Sequence, residues 1–317
     1  MIEMKNVTKS FRVKESKKFF SKRKNVNIIS DLSIQIPRGK IIVLLGINGA
    51  GKSTTIKMLS TLLIPDSGEI FIDGQNIKNM YKSYKSKINL ISGGEKSLYL
   101  RLTAKENLEY FGSLYSISKS RLNIIINDTL KIVGLENIDL PVELYSKGMK
   151  QRLQIAKGLI NNPDYIFLDE PTLGLDIKIS SELKKYIKFL AYNEGKGLLL
   201  TTHYIKEAEE LCDYIYIIDN GKIILEGNSD SIIKKIGNKS IYIVSFTGAN
   251  MEVLQKKYDK RMKSINDINQ ISFQEEMYTI EEVLNDIKQC NCTLLDVKKH
   301  EPNLEDSLLK FTESNKN

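Results

Sequence analysis

Apolar residues follow two rhythms along this chain. The first is the short unbroken run: Ile41–Leu45 in KIIVLLG, Tyr165–Leu168 in DYIFLDE and the leucines of GLLLTTH. Such a run leaves no polar face, so it fits a strand covered on both sides, as in a parallel sheet. The second rhythm is helical and occupies residues 103–161. Thr103 and Glu106 form a capping box opening a helix with Leu108, Phe111 and Tyr115 on one side. A Ser-x-Gly turn at 146–148 precedes a basic helix, Met149–Ile160, which stops before Pro163. Residues 164–226 alternate strand and helix and close in a hairpin at Asn220-Gly221. GEIFIDG, residues 68–74, is a short strand beside a turn.

Beyond about residue 230 the pattern changes. SIYIVSF and CTLLDVKK read as strands. YTIEEVLNDIKQ is a helix with Ile280, Val283, Leu284 and Ile287 on one face. Asn303 caps a last helix with Leu304, Leu308 and Phe311 inward. The fold class is therefore α/β over residues 1–230, followed by a small accessory α+β domain over 231–317 that carries no catalytic pattern.

Composition narrows the classes. With 317 residues, 41% hydrophobic and 27% charged, a packed core is expected rather than disorder. No apolar run approaches the roughly 20 residues that span a bilayer. The start, MIEMKNVTKSF, lacks the charged-then-apolar order of a secretory signal. Cys212, Cys290 and Cys292 are odd in number and have no zinc spacing, which fits reduced cytosolic thiols. The net charge of +8 admits nucleic acid, an anionic membrane surface or a polyphosphate ligand. Its local excess, residues 11–24, reads as a solvated loop; the alternative is contact with acidic lipid head groups, helped by Phe19 and Phe20.

Chemistry decides among these. Gly46-Ile47-Asn48-Gly49-Ala50-Gly51-Lys52-Ser53 is G-x-x-x-x-G-K-S, set between an apolar strand and a helix. Its glycines let successive backbone N–H groups converge on an anion, and the helix N-terminus adds positive potential. Lys52 reaches β- and γ-phosphates, and the Ser53 hydroxyl suits Mg²⁺. Asp169 ends the strand at Tyr165–Leu168 and suits water-mediated Mg²⁺ binding. Glu170 follows; strand alternation points it elsewhere, where it can orient or deprotonate a water. His203 follows Thr201-Thr202 at the end of the next apolar run and can hydrogen-bond a γ-phosphate.

In this order and spacing the motifs, with YSKGMKQR at 145–152 and Gly174-Leu175-Asp176, resemble the ATP-binding subunit of an ABC transporter, of the bacterial exporter type. The resemblance implies a phosphate-loop NTPase (RecA-like) core, an antiparallel β-subdomain and a helical signature subdomain over about 95–161. It implies ATP and Mg²⁺ as cofactors, with ATP held by Gly46, Asn48, Gly49, Ala50, Gly51, Lys52, Ser53 and Thr54, and with Phe11 as the aromatic stacking on adenine. Core packing is the other reading of Phe11. Lys52, Glu170 and His203 take the catalytic roles, and Ser53 and Asp169 the metal. Two cassettes, identical or homologous, close head-to-tail, so that Ser146, Lys147, Gly148 and Met149 of one meet the ATP of the other; Asp176 lies along that interface. A separate multi-span permease is the further partner, no nucleic acid is expected, and the location is cytoplasmic, on the inner face of the membrane.

Two departures stand out. The signature is usually Leu-Ser-Gly-Gly-Gln; here it is Tyr145-Ser146-Lys147-Gly148-Met149. The loop that usually carries a glutamine, residues 90–108, has none, and Glu95 is the substitute contact beside Gly94. The rival class is a non-transport ABC ATPase on nucleic acid or the ribosome. Tandem forms need a second phosphate loop and chromosome-type forms a long heptad coiled coil, neither of which is here.

Overall fold

In the computed structural model, the described residues are 1–14, 23–92, 98–115, 117–237, 240–248, 252–265 and 268–308. The chain divides into two compact units, Met1–Asn228 and Ser229–Asn317.

The first unit holds β1 (Ile2–Lys14), β2 (Arg23–Ile36), β3 (Ile41–Leu45), α1 (Lys52–Leu59), β4 (Ser67–Ile72), β5 (Gln75–Asn76), α2 (Tyr81–Lys87) and β6 (Ile88–Ser92). Then come α3 (Ala104–Ser113), α4 (Lys119–Ile132), α5 (Lys147–Leu159), β7 (Tyr165–Asp169), α6 (Ile177–Tyr192), β8 (Gly197–Thr202), α7 (Ile205–Leu211), β9 (Tyr214–Asp219) and β10 (Lys222–Gly227). The central sheet has the order β10-β9-β3-β8-β7-β6. Its strands from β9 to β6 run parallel, and only β10 is antiparallel. Every residue of β3 and β8 is buried, as their unbroken apolar runs require. Each buried Leu or Ile contributes roughly 1.5–3 kcal/mol relative to exposure.

A second sheet, β2-β1-β4-β5, is antiparallel. Ile2, Met4, Ile34 and Ile70 on it join Ile42, Leu44 and Phe167 of the central sheet in one core. The helices α3, α4 and α5 pack together, and α5 lies on β6. The capping box of α3 is present: Thr103 Oγ1 accepts from Glu106 N at 3.2 Å and Glu106 Oε2 from Thr103 N at 2.8 Å.

Local expectations need correction at four places. Residues 11–14 and 23–24, expected in a solvated loop, are instead the paired ends of β1 and β2. Helix α5 begins at Lys147, not Met149, because Ser146 Oγ accepts the Met149 N–H and caps it. The polar first turn carries no apolar periodicity, so the pattern started late. Helix α3 stops at Ser113, which leaves Tyr115 beyond it and exposed. Glu170 follows the strand end with φ +49°, so a left-handed turn aims it, not strand alternation.

The second unit contains α8 (Ser229–Ile236), β11 (Ile241–Thr247), α9 (Glu252–Tyr258), β12 (Met262–Ile265), β13 (Ile268–Gln274), α10 (Ile280–Gln289) and β14 (Thr293–His300). Its sheet is antiparallel, β12-β13-β11-β14. Val283 and Ile287 of α10 pack with Val244, Phe246, Ile271 and Tyr258 in a separate core. Asn303 Oδ1 accepts Asp306 N at 2.7 Å, and Leu304 and Leu308 are buried. Phe311 lies outside the described residues, as do Phe19, Phe20, Gly94 and Glu95.

Candidate active site

Three adjacent parallel strands, β3, β8 and β7, end at one edge of the central sheet, where open α/β sheets hold ligands. The register sets Leu45 beside Thr202 and Thr201 beside Asp169. Strand β3 delivers residues 46–53, β7 delivers Asp169 and Glu170, and β8 delivers His203.

The loop after β3 turns through left-handed positions at Gly49 (φ +86°) and Gly51 (φ +110°). A Cβ on Gly51 would lie 2.4 Å from Ile29 Cδ1. The loop is anchored from both sides. Gly46 N donates to Thr202 O, and the Asn220-Gly221 hairpin sends Gly221 N to Ala50 O at 3.0 Å. Gly221 O accepts Ser30 N, tying β2 to the same turn. Asn48 and Gly49 are exposed and Ala50 is buried.

Lys52 is only 4% exposed, and its Nζ donates to the carbonyls of Gly46 (2.7 Å) and Ile47 (3.1 Å). It also stands 3.5 Å from Glu170 Oε1. His203 Nδ1 lies 3.3 Å from the same oxygen. Ser53 Oγ donates to Asp169 Oδ1 at 3.2 Å, and Thr201 Oγ1 to that oxygen at 2.6 Å. The Glu170 N–H points back to Thr201 O and Oγ1. The fold thus brings Lys52, Ser53, Asp169, Glu170 and His203 within one hydrogen-bonded cluster. A hydroxyl beside a carboxylate is a hard-oxygen pair that fits Mg²⁺, a cation that keeps waters and takes substrate oxygens for the rest of its shell.

One participant was not read from the sequence. Glu207 is 5% exposed and accepts Thr172 Oγ1 at 2.6 Å and Thr202 Oγ1 at 2.5 Å. Pro171 O accepts Gln151 Nε2 of α5 at 3.1 Å. Glu207 therefore ties the end of β8 to the turn after Glu170, and Gln151 ties that turn to α5. An acid four residues after His203 on a helix reads as solvated; only the fold reveals the two hydroxyls aimed at it.

The Ser146–Met149 stretch lies apart, on α5. Ser146 and Lys147 are exposed. Among the described residues neither Ser146 nor Lys147 has a hydrogen bond or ion pair to the 46–53 loop. Asp176 Oδ1 accepts Ile179 N at 2.9 Å and caps α6. A Cβ on Gly148 would lie 2.1 Å from Ile179 Cδ1, so its lack of a side chain admits α6 packing. A Cβ on Gly174 would meet Lys147 Nζ, which places Lys147, standing where the usual signature has its first glycine, against the 174–176 turn. Phe11 is 39% exposed on β1 beside Val26, with Lys9 Nζ 5.8 Å from its ring centre. It is not a core residue.

Residues 29–173 match the sequence profile of the ABC transporter family. The ABC transporter ATP-binding protein NatA of Bacillus subtilis (strain 168) is 39% identical over 218 residues, covering 68% of this chain and 88% of NatA. The linearmycin resistance ATP-binding protein LnrL of the same organism is 33% identical over 306 residues, covering 93% of this chain and 96% of LnrL. Among solved structures, an ATP-binding cassette in a dimeric post-hydrolysis state bound to ADP and Pi superposes with a TM-score of 0.62 at 26% identity, covering 72% of this chain and 98% of that one.

Proposed function

The chain belongs to the ATP-binding proteins of ABC transporters and is an ATP hydrolase working with Mg²⁺, and we propose that it powers an exporter whose permease is a separate polypeptide. The observation that carries the reading is the convergence of Lys52, Ser53, Asp169, Glu170 and His203 at the ends of three neighbouring strands. The match to a linearmycin resistance protein extends over nearly the whole of both chains and supports the export direction.

In this proposal the backbone N–H groups of residues 46–54 bind the phosphates of ATP, and Phe11 offers an exposed ring face to the base. Lys52, now bonded to loop carbonyls, exchanges those acceptors for phosphate oxygens. Ser53 and Asp169 would hold Mg²⁺, which neutralises phosphate charge when bound. Glu170 takes a proton from the attacking water, and His203, touching Glu170, holds the γ-phosphate and that carboxylate in register. Ser146 caps α5 through an Oγ lone pair and keeps its O–H to donate. Ser146, Lys147, Gly148 and Met149 supply that donor, a cation and a helix N-terminus to the ATP of a second copy, with Asp176 alongside.

The homodimer is our choice over a pair of homologues, since one chain carries both half-sites. The permease would dock on the helical subdomain, where Tyr99, Leu100, Tyr110 and Leu114 are exposed. Tyr99, Tyr110 and Phe111 form a ring cluster, with Lys157 Nζ 4.8 Å from the Phe111 ring and its pKa lowered to about 8 by burial. That surface stands at the end of the 90–108 segment, where Glu95 is proposed to replace the glutamine. The protein would then sit on the inner face of the membrane. Among the described residues no helix is long and apolar enough to cross one. Phosphate release from Mg-ATP tests the reading: wild type turns over, Lys52→Ala does not, and equal rates would refute it.

A further inference from the structure

Phe11 follows the point where β1 loses one of its two neighbouring strands. Pairing of β1 with β4 runs from Ile2↔Ile72 to Thr8↔Ser67 and stops there. Pairing with β2 continues to Lys14↔Arg23, but it steps from Lys9↔Ile29 to Ser10↔Asn27 and leaves Ile28 as an extra residue in β2. Such a bulge bends the strand and re-aims the side chains beyond it. This one abuts the phosphate loop: a Cβ on Gly51 would lie 3.1 Å from Ile28 O and 2.4 Å from Ile29 Cδ1. Phe11 stands opposite Val26, two residues along β2 from Ile28.

On the side that β4 has left, one carboxylate takes over. Asp66 directly precedes β4 and donates its own N–H to Thr8 O at 2.9 Å. Its Oδ2 accepts Ser10 N at 2.7 Å and Ser10 Oγ at 2.9 Å, and its Oδ1 accepts Lys9 Nζ at 2.6 Å. The Ser10 N–H is thus bonded by a side chain where the strand partner has ended, and the held ammonium stands 5.8 Å from the Phe11 ring centre. Hydrogen bonds to an ionised carboxylate are roughly twice as strong as neutral ones. The backbone is therefore fixed from both edges immediately before Phe11, by the bulge on one side and by Asp66 on the other. We propose that Asp66 is a positioning residue for the nucleotide base: it fixes β1 at Ser10 and so sets where the Phe11 ring meets the base. The proposal rests on the reading of Phe11 as the platform for the base, and in it Asp66 touches no part of ATP and acts through Phe11 alone.

The test titrates the full chain calorimetrically with Mg-ATP and with Mg-tripolyphosphate, which has the phosphates and no base. Phe11→Ala should weaken ATP roughly three- to tenfold, the contribution of one aromatic stack, and leave tripolyphosphate unchanged. Asp66→Ala should weaken ATP about threefold, the lower end of that range. Its tripolyphosphate affinity should equal that of wild type, which also shows that the phosphate loop is folded. Adding Asp66→Ala to Phe11→Ala should cost nothing further, because the two act through one ring. Equal losses of ATP and tripolyphosphate in Asp66→Ala, a further loss of ATP in the double variant, or wild-type ATP affinity in Asp66→Ala beside a weakened Phe11→Ala would each overturn the proposal. Wild-type ATP affinity in Phe11→Ala would instead remove the base platform itself, and the role of Asp66 with it.

Discussion

At the scale of single residues, the cluster around Glu170 separates binding from turnover. Lys52→Ala removes a buried cation and should abolish nucleotide retention, measured by filter binding of labelled ATP. Glu170→Gln keeps the size and the contact to His203 but cannot take a proton; it should retain ATP while phosphate release falls by on the order of a hundredfold or more. Glu207→Gln leaves an amide NH₂ facing one of two hydroxyl donors. Its kcat should fall about tenfold or more through misplacement of Glu170 and His203, with KM for ATP little changed. Equal losses in both constants would mark Glu207 as a general packing residue. The phosphate loop and the paired acids were legible because their spacing is local. Glu207 was not, since its partner Thr172 is 35 residues away in sequence. Nor was the aim of Glu170, which depends on a left-handed turn rather than on the strand.

At the scale of elements, β3, β7 and β8 were read nearly to the residue, because a run without a polar face has few alternatives, whereas β1, β2, β6 and β9 were not placed. The start of α5 was not, since the cap and a polar turn define it. Strands β12 and β13 and helix α9 went unread: MKSI and INQISFQ alternate with Asn, Gln, Ser and Lys and carry little apolar signal. Packing and chemistry can be told apart at Gly148. Gly148→Ala should lower stability by roughly 1–3 kcal/mol through the clash with Ile179. Adding Ile179→Ala should recover part of the melting temperature. If ATPase recovers with it, Gly148 serves α6 packing; if not, it serves approach to phosphate. Beside its backbone pairing, the junction between β1 and the start of β4 carries an electrostatic tie. Lys9, then Ser10 through N–H and O–H, hold the Asp66 carboxyl at about 2. A depressed acid stabilises the fold above its unfolded value, and that contribution is lost as pH falls through the folded one. Urea midpoints should therefore drop between roughly pH 4 and 2, and Asp66→Asn should show a shallower fall over that window.

At the scale of the whole molecule, the two units have separate cores. We expect residues 1–228 produced alone to fold and bind ATP, checked by circular dichroism and nucleotide retention. The two compact units part at Asn228 and Ser229; assembly came only through the resemblance of the motifs, because an interface between copies leaves no periodicity. The central claim is that ATP is the joint between two copies, one offering residues 46–54 and the other Ser146–Met149. Light scattering on Glu170→Gln tests it most directly. The account predicts twice the monomer mass with Mg-ATP and a monomer with Mg-ADP, and no doubling when Lys52→Ala is added. A mass that does not respond to the nucleotide would contradict it.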